Sequence, residues 1–584
     1  MLVKKKAKRE QKRVPLVAPS VIAGEVRRFK RRNVQAGPEA RSFFPGFRDS
    51  RFVAGQRVRP IKNSTIARSR GLVLFDLLQI DHVLAVEKSE PPGTGFHTRT
   101  EVSGRPKPRT PFFSRDFLAR CRQNSQRFKY RSELAAEGDM RRIVSTGMCA
   151  ALLLVAVVLG NAQTKEKIIA IRAGKLLDGK SDQARANQVI IIRNNHIASV
   201  GDASTARIPA GAEVIDLSRA TVLPGLIESH THIFLQGEDP QEGGYDTNIL
   251  KYGIAYRAAR ATVAARRALE QGFTTIRDVE TEGAGYGDVE IKQAINDGWI
   301  PGPRMFVVTR AISTTGGYPL EDYAPELDMP KGAQIVDGPV EARKAAREQL
   351  DHGADWIKVY MTHRSWVDDK GNLVSQPTLT VEELKAIVDE AHGWRKKVAC
   401  HAYNGIGLHR ALDGGCDSIE HGLELDDAAV AQMVKQGTWY CPTLMPYYEW
   451  WAPENTPEGQ RDRKRAEVHG PSFQRAMRAG VKIVFGTDAG SFKWTDPEKP
   501  IAKEFSLMVG FGMPPIEAIR SATSRPAEML DMQGKIGVVA PGAYADIIAV
   551  GGDPLADVKE LEHVGFVMKD GKVYVDSLAK SMPR

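Results

Sequence analysis

The sequence predicts an α/β fold: a (β/α)8 TIM barrel with a small β-sandwich domain formed from both ends of the mature chain. Three observations lead there. Eight short β-rich runs lie between residues 221 and 488, with amphipathic segments between them. Two more β-rich stretches, Lys165–Ser218 and Ala545–Asp576, flank that series. Residue types that ligate metals gather at the C-terminal ends of the central runs, where this fold carries its chemistry.

The eight runs are TVLPGLIESH (221–230), FTTIRDV (273–279), RMFVVTRAI (304–312), WIKVYM (356–361), KVACHAY (397–403), SIEHG (418–422), TWYCPTL (438–444) and KIVFGTD (482–488). Segments such as VEARKAAREQLDHG (340–353) and TVEELKAIVDEAHGW (380–394) have helical apolar spacing. In the flanks, KIIAIRAG, QVIIIRNNHIASVGD and AEVIDLS alternate with turns, and Asn194-Asn195 and Asp570-Gly571 are hairpin signals. The predicted boundaries are 163–222 for the first part of the sandwich, 223–532 for the barrel and 533–584 for the second part.

The net charge of +11 is unevenly placed. Residues 1–139 hold 31 Lys+Arg and 13 Asp+Glu, a net of +18, and the remainder is net −7. This first quarter reads as a disordered basic segment, or as an over-extended start. Residues 140–162, MRRIVSTGMCAALLLVAVVLGNA, have the plan of a secretory signal peptide: Arg141 and Arg142, a 12-residue apolar run, then small residues. The expectation is a chain that begins at Met140 and is secreted, to a periplasm, with no stable membrane span after cleavage. Export would contradict nucleic-acid binding through the basic segment. Cys400, Cys416 and Cys441 remain in the mature chain, an odd number without paired spacing, and do not read as a disulfide framework.

His230 and His232 stand at i and i+2 at the end of the first run, so on a strand both imidazoles share a face. An isolated His-x-His is more often a core histidine beside an exposed one. Here Lys358 lies in the fourth run, His401 in the fifth, His421 in the sixth, and Asp488 closes the eighth. Nitrogen and oxygen donors on five strands of one barrel suit a divalent ion better than core packing does. Lys358 sits in an apolar run, where an unpaired ammonium is costly, so it needs a partner or a modification.

Together, PGLIESHTH, the lysine in GADWIKVYMT, the single histidines of runs five and six and GTDAG resemble the amidohydrolase superfamily over roughly 165–575. Within it they resemble the binuclear metal-dependent dipeptidase branch, which is prolidase-like, related to imidazolonepropionase, and includes ochratoxinase-type amidases. The resemblance implies that His230, His232 and Asp488 bind one metal and that His401 and His421 bind the other. It implies a carboxylated Lys358 and a hydroxide bridging the two, with zinc as the default metal. Asp488 would act as general base and then acid.

Tyr360 shares the inward face of the fourth strand with Lys358 and could donate to a substrate carbonyl. Tyr318, in the glycine-bearing STTGGYP loop (313–319), and His363 and Arg364, after the fourth strand, are the substrate-binding candidates; the arginine could pair with a carboxylate. His196, His352, His392, His409, His469 and His563 read as structural or solvated. The expected activity is hydrolysis of an amide C–N bond in a small amide or dipeptide of the Xaa-Pro or related type. A cyclic-amide hydrolase resembling imidazolonepropionase is the alternative, and Lys358 argues against it. An inactive binding scaffold would have lost ligands, and none is missing. Substrate side chains and oligomeric state, a homo-oligomer included, are left open.

Overall fold

The computed structural model describes residues 166–578, apart from 239–242, 319, 321–322, 450–451 and 454. The basic segment 1–139 and the signal-peptide stretch 140–162 lie outside the described residues.

Both ends of the described chain meet in one seven-stranded sheet. Ile168–Leu176 pairs antiparallel with Arg185–Arg193 and parallel with Glu213–Pro224. His196–Asp202 extends one edge. Ile547–Val550 pairs antiparallel with Glu213–Pro224, and Phe566–Lys569 and Lys572–Asp576 complete the other edge. The turns fall where the sequence signals them. Asn194 has φ 56°, and Asp570 and Gly571 have φ 50° and 72°, the left-handed pair a two-residue hairpin uses. Ile171, Ile190, Leu217, Val222, Ile547 and Phe566 form the apolar core of this sheet.

The eight central runs all contain a parallel strand. Leu226–Thr231, Phe273–Asp278 and Arg304–Val307 pair in that order. Trp356–Tyr360, Lys397–Ala402, Ser418–His421, Trp439–Cys441 and Lys482–Ile483 follow in theirs. Asp355 N–H donates to the Val307 carbonyl at 2.7 Å, joining the third strand to the fourth. Ser229 N–H donates to the Phe485 carbonyl at 3.0 Å, and Thr231 bridges to Ala489, joining the eighth to the first.

Between strands run helices whose apolar stripes face inward. Ile254–Glu270 buries Ala261, Ala264, Ala265 and Ala268 at helical spacing, beside Phe273 and Ile276 in the same core. Val381–Gly393 starts in a capping box: the Thr380 side chain accepts from the Glu383 N–H, and Glu383 accepts from the Thr380 N–H.

Two runs differ from their sequence reading. The first is not one strand. Its residues 221–224 stay in the end sheet, and the parallel strand begins at Leu226. At Gly225, where the chain changes sheets, a Cβ would come within 2.1 Å of the Thr274 side chain. The third run breaks at Thr309, which has φ 65° and donates its N–H to buried Asp288 at 2.8 Å, so Ile312–Ser313 is a separate short strand.

The cysteines also differ. Cys400 and Cys416 form a disulfide with a Cα–Cα separation of 6.1 Å. Cys400 is on the fifth strand and Cys416 ends the turn into the adjacent sixth, a proximity that spacing alone did not reveal. Cys441 is free and buried. Among the described residues no helix is long and apolar enough to cross a membrane.

Candidate metal centre

The C-terminal ends of the parallel strands converge on a cavity of about 120 Å3. His232, Tyr318, Lys358, Tyr360, His363, His401, His421 and Asp488 all line it. A second cavity of about 380 Å3 adjoins it, sharing Glu238, Tyr403, Asp488 and Ser491.

The first strand supplies His230 and His232, with ring centroids 5.4 Å apart. Asp488 faces both: its Oδ1 is 3.4 Å from His230 Nε2 and 3.0 Å from His232 Nε2. The three residues offer ligand atoms that all lie within 4.8 Å of one another. His421 stacks at an angle on His230 at 4.8 Å and on His401 at 4.4 Å. Lys358 is buried, with Nζ 5.5 Å from the Tyr360 ring centre. His421 and Asp488 have φ of 73° and 59°, backbone that non-glycine residues seldom adopt and that clusters at functional sites.

Three of the four imidazoles meet a partner from behind. His230 Nδ1 lies 2.7 Å from Glu420 Oε2, His421 Nδ1 lies 2.8 Å from Thr443 Oγ1, and His232 Nδ1 lies 3.1 Å from Glu282 Oε1. A carboxylate only accepts, so Nδ1 of His230 carries the proton and Nε2 presents its lone pair to the centre. The buried Nε2 atoms of His230 and His401 have no hydrogen-bond partner. Inward lone pairs, tied outer nitrogens and an anionic Asp488 fit a site for divalent cations.

The electrostatics agree. Burial pushes His401 and His421 well below the ordinary imidazole range, and the Lys358 charge and neighbouring imidazoles push the same way, so both are neutral donors. Burial would raise the Asp488 carboxyl, but the adjacent His230 and His232 outweigh that and hold it well below its usual range. His232 goes the other way: burial would lower it, and Asp488 and Glu282 raise it well above. The two carboxylates thus favour positive charge at this point.

Several residues at the site were not anticipated from the sequence. Glu280 and Glu282 follow the second strand at i and i+2, the same spacing as the histidine pair. Glu280 Oε2 accepts from the Tyr360 hydroxyl at 2.5 Å. Glu282 Oε2 accepts from Tyr245 and Tyr318, both at 2.7 Å. Burial would raise Glu282, but His232 and the two tyrosines bring it down to about 2. Glu420 and Arg277 are a fully buried pair, 2.8 Å apart.

Of the substrate-binding candidates, Tyr318 and His363 line the inner cavity. Arg364 lines neither cavity. Arg465, from the helix Pro457–Ala479, lines the outer cavity instead. Of the histidines read as structural or solvated, His469 is fully buried beside Tyr447, and burial lowers it to about 3.

A sequence model of the amidohydrolase family matches residues 221–574. Ochratoxinase of Aspergillus niger is 32% identical over 445 residues, covering 71% of this chain and 88% of that protein. Imidazolonepropionase of Nocardia farcinica is 26% identical over 375 residues, covering 63% of this chain and 86% of that one. The crystal structure of a Xaa-Pro dipeptidase with methionine bound in its active site superposes with a TM-score of 0.62 at 34% identity, covering 70% of this chain and all of that one. With the family model spanning more than half of its length and hydrolases among its relatives, the chain belongs to the amidohydrolase family and is a metal-dependent hydrolase of amide bonds.

Proposed function

We propose that the protein is a binuclear dipeptidase of the Xaa-Pro or related type, working in a closed (β/α)8 barrel beside a β-sandwich. The observation that carries the reading is the buried Lys358 among neutral imidazoles and Asp488. In the proposal His230, His232 and Asp488 would hold one ion, and His401 and His421 would hold the other. Lys358 Nζ, starting as the ammonium, would lose two protons in all as it bonds to the carbon of CO2, and the resulting carbamate would offer an oxygen ligand to each ion. This turns a costly buried cation into an anionic ligand. Zinc suits these nitrogen and oxygen donors. When bound, the ions lower the pKa of a water and polarise the scissile carbonyl.

The chain's own residues do the rest. Asp488 takes the proton from the attacking water and delivers it to the leaving nitrogen. Tyr360 would turn its hydroxyl proton from Glu280 to the substrate carbonyl oxygen. Tyr318 and His363 wall the inner cavity. An imidazolonepropionase-like reaction is disfavoured, because that resemblance leaves Lys358 without a role. Secretion to an oxidising compartment such as a periplasm is in keeping with the Cys400–Cys416 disulfide.

The test is hydrolysis of a dipeptide library by the metal-loaded protein. Turnover of Xaa-Pro or related dipeptides is expected, with Asp488→Asn lowering kcat by roughly 100-fold or more. Absence of turnover across the library would overturn the reading.

A further inference from the structure

The outer cavity has a distinct chemistry that the metal centre does not use. Arg461, Arg465, Lys493 and Lys499 line it, against Glu238, Asp462, Asp488 and Asp496. Asp462 is drawn to Arg461, with Oδ1 3.3 Å from Nε. Its distance to Arg465 Nη1 is longer, 3.7 Å. Arg465 is therefore only loosely paired, although its side chain is just 16% exposed.

Its position is nevertheless fixed. Nε donates to Ser365 Oγ at 2.9 Å, and the guanidinium carbon sits 5.2 Å from the Tyr403 ring centre. Ser365 is buried two residues after His363, and Tyr403 lines both cavities. Arg465 thus stands at the junction of the two chambers. Nδ1 of His363 is buried there without a hydrogen-bond partner. Burial first and the Arg465 charge second lower His363 to about 4, so it is a neutral imidazole able to donate. A rigid cationic fork beside a neutral donor suits a carboxylate.

We propose that Arg465 anchors a free carboxylate on the leaving half of the substrate, which occupies the outer cavity. The enzyme then selects amides of amino acids whose acid group is unblocked. The volume of about 380 Å3 and the walls of Met445, Tyr447 and Phe492 give that half an apolar bed. The inference rests on the dipeptidase reading and deepens it.

The experiment compares kcat/KM for dipeptides and for their C-terminal carboxamides, in wild type and in Arg465→Gln and Arg465→Lys. Wild type is expected to favour the acids by roughly 100-fold or more, as sites built to pair a polar group do. Arg465→Gln, which keeps a donor for Ser365, collapses that preference to within about threefold. Arg465→Lys retains charge without the fork and keeps part of the preference. A wild-type ratio near one overturns the inference while leaving the dipeptidase reading standing. So does a folded Arg465→Gln with the wild-type ratio. Hydrolysis of neither series by wild type overturns both.

Discussion

Glu420 places one carboxylate oxygen 2.7 Å from His230 Nδ1 and the other 2.8 Å from the Arg277 guanidinium, all three residues fully buried. The sixth strand thereby orients an imidazole of the first and neutralises a cation of the second. Burial alone would raise the Glu420 carboxyl, but Arg277 and His230 outweigh it and hold it well below the usual range. Glu420→Gln keeps the shape and loses the charge. It is expected to weaken metal binding by roughly 10- to 100-fold, measured by competition with a chelator. Glu420→Ala leaves Arg277 buried and unpaired, at a cost of about 3–5 kcal/mol in denaturant unfolding. Unchanged metal affinity in the Gln variant would remove Glu420 from the account.

Gly490, in GTDAG, has φ 124°, and a Cβ there would lie 2.5 Å from the His232 carbonyl and 2.7 Å from its Cβ. Both the backbone conformation and the close approach require glycine. Gly490→Ala is expected to displace His232, lowering metal content and stability together. Metal analysis beside thermal unfolding checks this, and a variant with wild-type values for both would contradict it.

His469 gives a pH signature. Its folded value, about 3, lies below the ordinary 6.5, so the unfolded chain binds the extra proton between those values. The histidine's contribution is present above about pH 6.5 and is lost as pH falls toward 3, at about 1.4 kcal/mol per unit within the window. His469→Gln should flatten the acid limb relative to wild type. Parallel stability curves for the two proteins would refute the assignment.

The Cys400–Cys416 disulfide closes a short loop, with a sequence separation of 16, from the strand that carries His401 to the start of the strand that carries His421. Closing a loop of that size is worth about 3 kcal/mol in the chain-entropy model. Cys416→Ala, or reduction, is expected to lower stability by that order in denaturant melts. No difference between oxidised and reduced protein would remove the cross-link from the stability account.

The sequence disclosed what local pattern encodes. Strand periodicity placed a parallel strand in each of the eight runs, and the metal-ligand candidates sat on or directly after them, except Asp488, which follows Ile483 by a short loop. Long-range partners were harder to see. Glu420 was legible as a charge beside His421, but its bond to His230 joins residues 190 apart in sequence. Arg364 read as the anion-binding arginine, and in the structure it lines neither cavity. The break at Gly225 was hidden because two strands in different sheets run together as a single apolar stretch. Glu280 and Glu282 did carry a signal, an acidic pair at strand spacing on the catalytic face, which the more conspicuous histidines overshadowed.

The central claim is that Lys358 joins two metal ions. Its most direct test is elemental analysis of wild type and Lys358→Ala, purified and loaded identically. The account predicts two divalent ions per chain in wild type and one or none in the variant. A single ion in wild type, unchanged by the substitution, would contradict it and return Lys358 to packing.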